Sequence, residues 1–199
     1  VMPTDFGADL GVETEVAPEL LAQLGSSFEP VPLTDDAPAL AQAAIGQFEV
    51  KATPLQMALV AATVANDGQV PNPHVVKDVI DSAGAVLHEA DLDPWREAIR
   101  PSTAAALREA MVEVVASGTA QRVAVDGLVV GAKTGTAQLG ADIESTHAWV
   151  IAFAGDDIAR PTVAVAVIVE ADEEVGEQTG GRVAGPIAQE VLAAWSDLR

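Results

Sequence analysis

One nine-residue segment carries side chains that could do chemistry together. In Val130-Gly131-Ala132-Lys133-Thr134-Gly135-Thr136-Ala137-Gln138, an apolar lead-in is followed by a cation, a hydroxyl, a glycine and a second hydroxyl. The chain has only two other lysines, Lys51 and Lys77. In an extended strand, Lys133 and Gly135 share one face, and Thr134 and Thr136 share the other. A glycine inside a strand marks a place where a ligand or another backbone comes close. The combination suits an edge strand lining a cleft for an anionic substrate. The Lys133 ammonium would supply charge, a threonine hydroxyl would bind a carboxylate, and backbone groups would pair with an extended peptide. Spacing alone also admits an ordinary surface strand with one lysine.

A phosphate-binding reading competes for the same residues. Gly127-Leu128-Val129-Val130-Gly131-Ala132-Lys133-Thr134 approaches G-x-x-x-x-G-K-[ST] but has Ala132 where the second glycine belongs. That loop also needs a helix directly after the lysine, and Gly135 and Gly140 interrupt the stretch. Other constellations point to structure. His74, His88 and His147 make no H-E-x-x-H or H-x-H pattern. The acidic run from Glu170 to Glu177 lacks the ligand order of a calcium loop and reads as a solvated loop. Asp156-Asp157 reads as turn chemistry, and Trp149 as a core residue at a strand centre.

Composition narrows the classes. The 199 residues carry a formal charge of −20, a field that repels nucleic-acid phosphates and anionic lipid headgroups. There is no cysteine, so disulfides, thiolate metal sites and cysteine nucleophiles are excluded. With 49% hydrophobic residues the chain can build a core. The N-terminus shows no basic flank followed by an apolar run, so no signal peptide is read there.

The elements that must position the segment follow from caps and periodicity. The opening to about Leu33 is irregular, with a short helical stretch over 18–24, and a helix start at Asp35-Asp36-Ala37-Pro38 runs toward Ile45. Thr53-Pro54 caps a helix with Leu55, Leu59, Ala62 and Ala65 on one stripe, closed by Asn66-Asp67-Gly68. Runs 75–80 and 86–89 flank Ser82-Ala83-Gly84 as a hairpin. Pro101-Ser102 opens a helix that ends at Ser117-Gly118. Strands are expected over 128–138, 147–154 and 162–170, then a helix near 184–195, with Gly176 to Gly181 loosening the loop before it. The fold class expected is α+β, an antiparallel sheet with packed helices.

The order of several short segments resembles the transpeptidase domain of penicillin-binding proteins, most of all the class B, actinobacterial type. They are Ala44-Ile45-Gly46-Gln47, Ala52-Thr53-Pro54-Leu55-Gln56-Met57-Ala58, Ala65-Asn66-Asp67-Gly68, Ser117-Gly118-Thr119-Ala120, Ala132 to Gln138, and His147-Ala148-Trp149. The resemblance covers roughly Ala39 to Arg199. It implies a serine acyl-transferase acting on D-Ala-D-Ala stem peptides of peptidoglycan and acylated by β-lactams, with no cofactor or metal. The family works through S-x-x-K, S-x-N and K-T-G. None of the serines here has lysine three residues on, and neither Asn66 nor Asn72 stands two residues after a serine, so only K-T-G is present.

By resemblance, Lys133 would set a positive field beside the nucleophile. Thr134 and Thr136 would bind the substrate carboxylate, Gly135 would let the backbone approach the acyl group, and the Thr136 N–H would be an oxyanion donor. Residues 1–199 are then expected to be the C-terminal portion of one transpeptidase domain, inactive without its N-terminal part. Expected partners are the stem peptide, β-lactams, that N-terminal part and cell-division or elongation proteins. The expected location is the outer face of the cytoplasmic membrane. The open alternative is a degenerate, non-catalytic module that binds peptides or partners.

Overall fold

A computed structural model describes residues 51–139, 142–171 and 178–199, together with Pro38, Ala41, Ile45 and Gly46. The expected elements before residue 38 and the acidic run 172–177 lie outside the described residues, as does most of the helix expected toward Ile45. The chain divides into two compact units. One includes Pro73–Asp91. Its hairpin pairs β2 (Asp78–Ile80) with β3 (Val86–Glu89), and Asp81 Oδ1 accepts from the N–H groups of Ala83 and Ala85, at 2.8 Å each. Gly84, at φ +85°, completes the turn as a left-handed residue.

Among its described residues, the second unit, 45–72 and 92–199, holds a three-stranded sheet and three α-helices. Helix α1 (Pro54–Ala65) begins with a reciprocal cap. Thr53 Oγ1 accepts from the Gln56 N–H at 3.2 Å, and Gln56 Oε1 accepts from the Thr53 N–H at 2.8 Å. It ends where Asp67 and Gly68 both take positive φ. A side chain at Gly68 would run into the Ile99 backbone, so glycine is required there twice over. This turn supports the short pair of β1 (Gln69–Val70) with β4 (Arg96–Glu97), which hydropathy does not announce.

Helix α2 (Pro101–Ser117) is tied to the end of α1 by Arg108, which is 6% exposed. One guanidinium nitrogen donates to Val64 O at 3.0 Å and another meets Asp67 Oδ1 at 2.7 Å. A buried cation is tolerable because it has a partner at each end of its fork.

The antiparallel sheet is β5 (Val129–Leu139), β6 (Asp142–Gly155) and β7 (Val163–Val169), in that order, so β5 is an edge strand among the described residues. Alternation sends the even residues of β6 (Ala148, Val150, Ala152, Ala154) into one core with Val130, Ala132, Val123 and, from helix α3 (Gly185–Asp197), Leu192. Phe153 points the other way, into a smaller cluster with Val64 and Met111. Gly131 lies against the Phe153 ring, where a side chain would not fit. The α+β expectation is met. The strands differ from their expected limits chiefly in β6, which starts at Asp142 rather than near His147.

Candidate functional site

Strand β5 stays extended through Lys133-Thr134-Gly135-Thr136 and beyond. No bend or helix follows the lysine, so these residues do not form a phosphate loop. Register pairs Thr134 with Val150, Gly135 with Trp149 and Thr136 with Ala148. Thr134 and Thr136 therefore continue the row that Val130 and Ala132 begin on the core-facing side. Where that row passes the end of the core, apolar side chains give way to hydroxyls.

The hydroxyls line an open groove of about 400 Å³. Two turns form its walls. The first is the exit of α2. Gly118 packs so tightly on the last helical turn that a Cβ would stand 2.9 Å from Val114 O. The Ala120 N–H then bonds back to Val114 O at 3.2 Å, and Ala120 and Val123 are fully buried. This anchoring sets Thr119 beside β5, with its Oγ1 2.7 Å from Thr134 Oγ1. A 3-10 turn (Gln121–Val123) then presents Arg122.

The second wall is the π-helical turn Gly180–Ala184 that leads into α3. Upstream, Thr146 Oγ1 donates to Gln178 O at 2.9 Å and accepts from the Gln178 N–H at 3.1 Å, which fastens the entry of the turn to β6. A Cβ at Gly180 would collide with Trp149 O and stand 2.8 Å from Gly135 O. One at Gly181 would collide with Thr119 O. The glycines expected to loosen this loop instead allow it to pack directly on the sheet backbone; Gly176 lies outside the described residues. The close approach anticipated at Gly135 comes, in this structure, from that turn.

The groove is cationic in a strongly acidic chain. Arg122 and Arg182 line it, and Arg122 Nη1 donates to Arg182 O at 3.5 Å. Neither forms a salt bridge with a described carboxylate. Sequence reading passed over both arginines and used Thr119 only as part of a family segment. A usable signal was present: two of the chain's few arginines each follow a Gly-bearing turn.

The structure thus brings Thr134 and Thr136 together in the groove, with Gly135 beneath the second wall. It does not bring Lys133 in with them. Lys133 is exposed, belongs to the opposite face of β5, and its Nζ donates to the Thr134 carbonyl oxygen. A larger depression of about 650 Å³, lined mainly by aliphatic residues such as Val112, Val115, Val125 and Leu128, carries no comparable polar set. Among the described residues no group of three or more acidic or histidine side chains could hold a metal. Trp149 is half-buried opposite Gly135, and His147 Nδ1 accepts from the Ala171 N–H at 2.8 Å, a structural use of that histidine.

Residues 33–193 match the penicillin binding protein transpeptidase domain. The chain belongs to that family. Among transpeptidase relatives, peptidoglycan D,D-transpeptidase PbpA of Mycolicibacterium smegmatis is 42% identical over 161 residues, covering 80% of this chain and 32% of the relative. The Mycobacterium tuberculosis protein of the same name is 38% identical over 188 residues, covering 92% and 37%. The structure of penicillin-binding protein A from M. tuberculosis, a ceftriaxone acyl-enzyme complex, superposes with a TM-score of 0.72 at 38% identity over 82% of this chain and 36% of that one. The transpeptidase fold and the family expected from the short segments are therefore borne out. The chain spans about a third of the length of these relatives.

Proposed function

We propose that this chain is the Lys-Thr-Gly-bearing, C-terminal portion of one transpeptidase domain, and that it works in serine acyl transfer on D-Ala-D-Ala stem peptides during peptidoglycan cross-linking. The observation that carries this reading is the pair of hydroxyls, Thr134 and Thr136, on the edge strand of the sheet in a groove walled by two arginines. Hydroxyl donors flanked by guanidinium groups suit a carboxylate, the terminal group of such a peptide and of a penicillin. A relative's structure as an acyl-enzyme complex with ceftriaxone supports the ligand class.

The roles are divided by strand face. Thr134 and Thr136 bind the carboxylate. Gly135 keeps the strand slim where the acyl group must pass, and the Thr136 N–H completes an oxyanion hole with the N–H of the nucleophile; loss of one such donor lowers the rate about 10²–10³-fold. Lys133, on the opposite face, directs its charge toward the nucleophile, which polypeptide outside these 199 residues supplies. That same segment covers the Lys133 face of β5. Partners are then the stem peptide, β-lactams, the N-terminal part of the domain, and division or elongation proteins. The working location is the outer face of the cytoplasmic membrane; no helix among the described residues is long and apolar enough to cross a membrane.

One sequence observation favours a second reading, a non-catalytic module of the same fold: the absence of S-x-x-K and S-x-N from the chain. Labelling with a fluorescent penicillin separates the two. The 199 residues alone are expected to stay unlabelled. Joined to the segment that carries both motifs, they are expected to label, and Lys133→Ala is expected to slow that labelling strongly. A joined protein that takes no label supports the binding module instead.

A further inference from the structure

Two hydroxyl oxygens 2.7 Å apart share one hydrogen bond, and either can be the donor. Which one donates decides what Thr134 offers to the groove. If Thr134 spends its proton on Thr119, it presents only lone pairs there. If Thr119 donates, the Thr134 proton is free to point outward. A bound carboxylate only accepts, so it selects the second arrangement. Donation from Thr119 also polarises the Thr134 O–H and strengthens the bond it makes onward.

The surroundings hold this arrangement in place. The Thr119 carbonyl is packed directly beneath Gly181, at a distance that leaves no room for a Cβ. The Thr134 side chain lies on the Gly181 side of the groove and, being β-branched, is stiff at χ1. Ala120, fully buried, pins the residue after Thr119.

We propose that Thr119 is a positioning residue for carboxylate recognition: it donates to Thr134 Oγ1 and so turns the Thr134 hydroxyl into a committed donor toward the groove. The proposal rests on the acyl-transfer reading above and deepens it by assigning part of the carboxylate selectivity to a residue outside β5.

The test uses the complete transpeptidase, in which this chain is joined to the segment carrying S-x-x-K and S-x-N. Acylation is followed as a function of concentration with a penicillin and with its methyl ester, for wild type, Thr119→Val and Thr119→Ser. In Thr119→Val, the penicillin concentration giving half-maximal rate is expected to rise about threefold to tenfold, the worth of one hydrogen bond. The maximal acylation rate should stay within about twofold of wild type, since no reacting atom is touched. The ester also only accepts but lacks the carboxylate charge, so its loss between wild type and Thr119→Val should be clearly smaller. Thr119→Ser should restore the penicillin value. Equal weakening of acid and ester, or failure of serine to rescue, would assign Thr119 a merely structural role and overturn the proposal, as would a Thr119→Val protein indistinguishable from wild type. Wild type that takes no penicillin overturns the acyl-transfer reading itself, and the proposal with it.

Discussion

Gly180→Ala tests how the groove is held, and Gly185→Ala, five residues on, is its internal control. At Gly180 a methyl would meet only backbone: Trp149 O in hard collision, Gly135 O at 2.8 Å and Gly135 N at 3.1 Å. Gly135 and Trp149 are partners in the β5–β6 ladder, so they cannot retreat without breaking it. The π-turn must withdraw instead, by somewhat more than about 1 Å, to reach ordinary contact with the Trp149 carbonyl oxygen. Overpacking of this kind costs about 1–3 kcal/mol. For a domain of this size that is about 2–12 °C in Tm. At Gly185 a methyl would find its neighbours at 3.6–3.7 Å, and φ is −57°, ordinary for any residue. Gly185→Ala is therefore expected to be neutral or to stabilise by about 0.4–1 kcal/mol. The assay is thermal unfolding with penicillin acylation measured beside it, in the complete protein. Gly180→Ala should lower both Tm and apparent affinity, because the withdrawn turn carries Gly181 and Arg182 away from the hydroxyls; Gly185→Ala should lower neither. Equal behaviour of the two variants would refute the reasoning, since it derives their difference entirely from backbone clearance.

Two further outcomes concern the frame behind the groove. Arg108→Met should lower the urea midpoint by the equivalent of about 1.5–3 kcal/mol, through loss of a charged bond to Val64 O. Asp67→Asn should cost less than about 1 kcal/mol, because the Asp67 side chain is 61% exposed and the ion pair is screened; equal effects would show that the ion pair dominates. Gly131→Ala should destabilise by about 1–3 kcal/mol by driving a methyl into the Phe153 ring, and by clearly less in a Phe153→Leu background; strict additivity in urea unfolding would contradict the contact.

The parts of this fold governed by local chemistry were legible. Thr53-Pro54 caps helix α1, Asn66-Asp67-Gly68 ends it, and the extended runs at 129–139 and 163–169 each pair with the strand between them. The alternation of Lys133 and Gly135 against Thr134 and Thr136 followed from strand geometry, but the sequence reading still set Lys133 in the same cleft as the hydroxyls, and the groove that Thr134 and Thr136 line does not include it. What escaped were features made by contact across long separations. Nothing local in Gly180-Gly181 distinguishes a loose loop from a turn pressed onto Gly135 and Trp149, because the demand for glycine comes from atoms about thirty to sixty residues away in sequence. The two-residue strands β1 and β4 are likewise too short to carry a period. Arg122 and Arg182 read as surface charge until the fold set both beside the same hydroxyls.

The groove and the core are one structural row. On β5, Val130 and Ala132 are buried against α3 and the 3-10 turn, and the next two residues on that face, Thr134 and Thr136, are the groove hydroxyls. Their positions are therefore set by the same packing that fixes Val150 and Ala148, their fully buried partners on β6. If the groove takes a ligand as proposed, hydroxyls at the polar end of a packed row would need little reorganisation to bind it, since they stand on backbone that cannot shift without opening the core. Lys133 has no such support. It stands on the face of the same strand that leads to the smaller cluster of Phe153, Val64 and Met111, and among the described residues its Nζ donates to the carbonyl of its neighbour. On the proposed acyl-transfer reading, the strand carries a preassembled half, which would recognise the carboxylate, and a half whose cation would acquire its setting when the nucleophile-bearing segment packs against it.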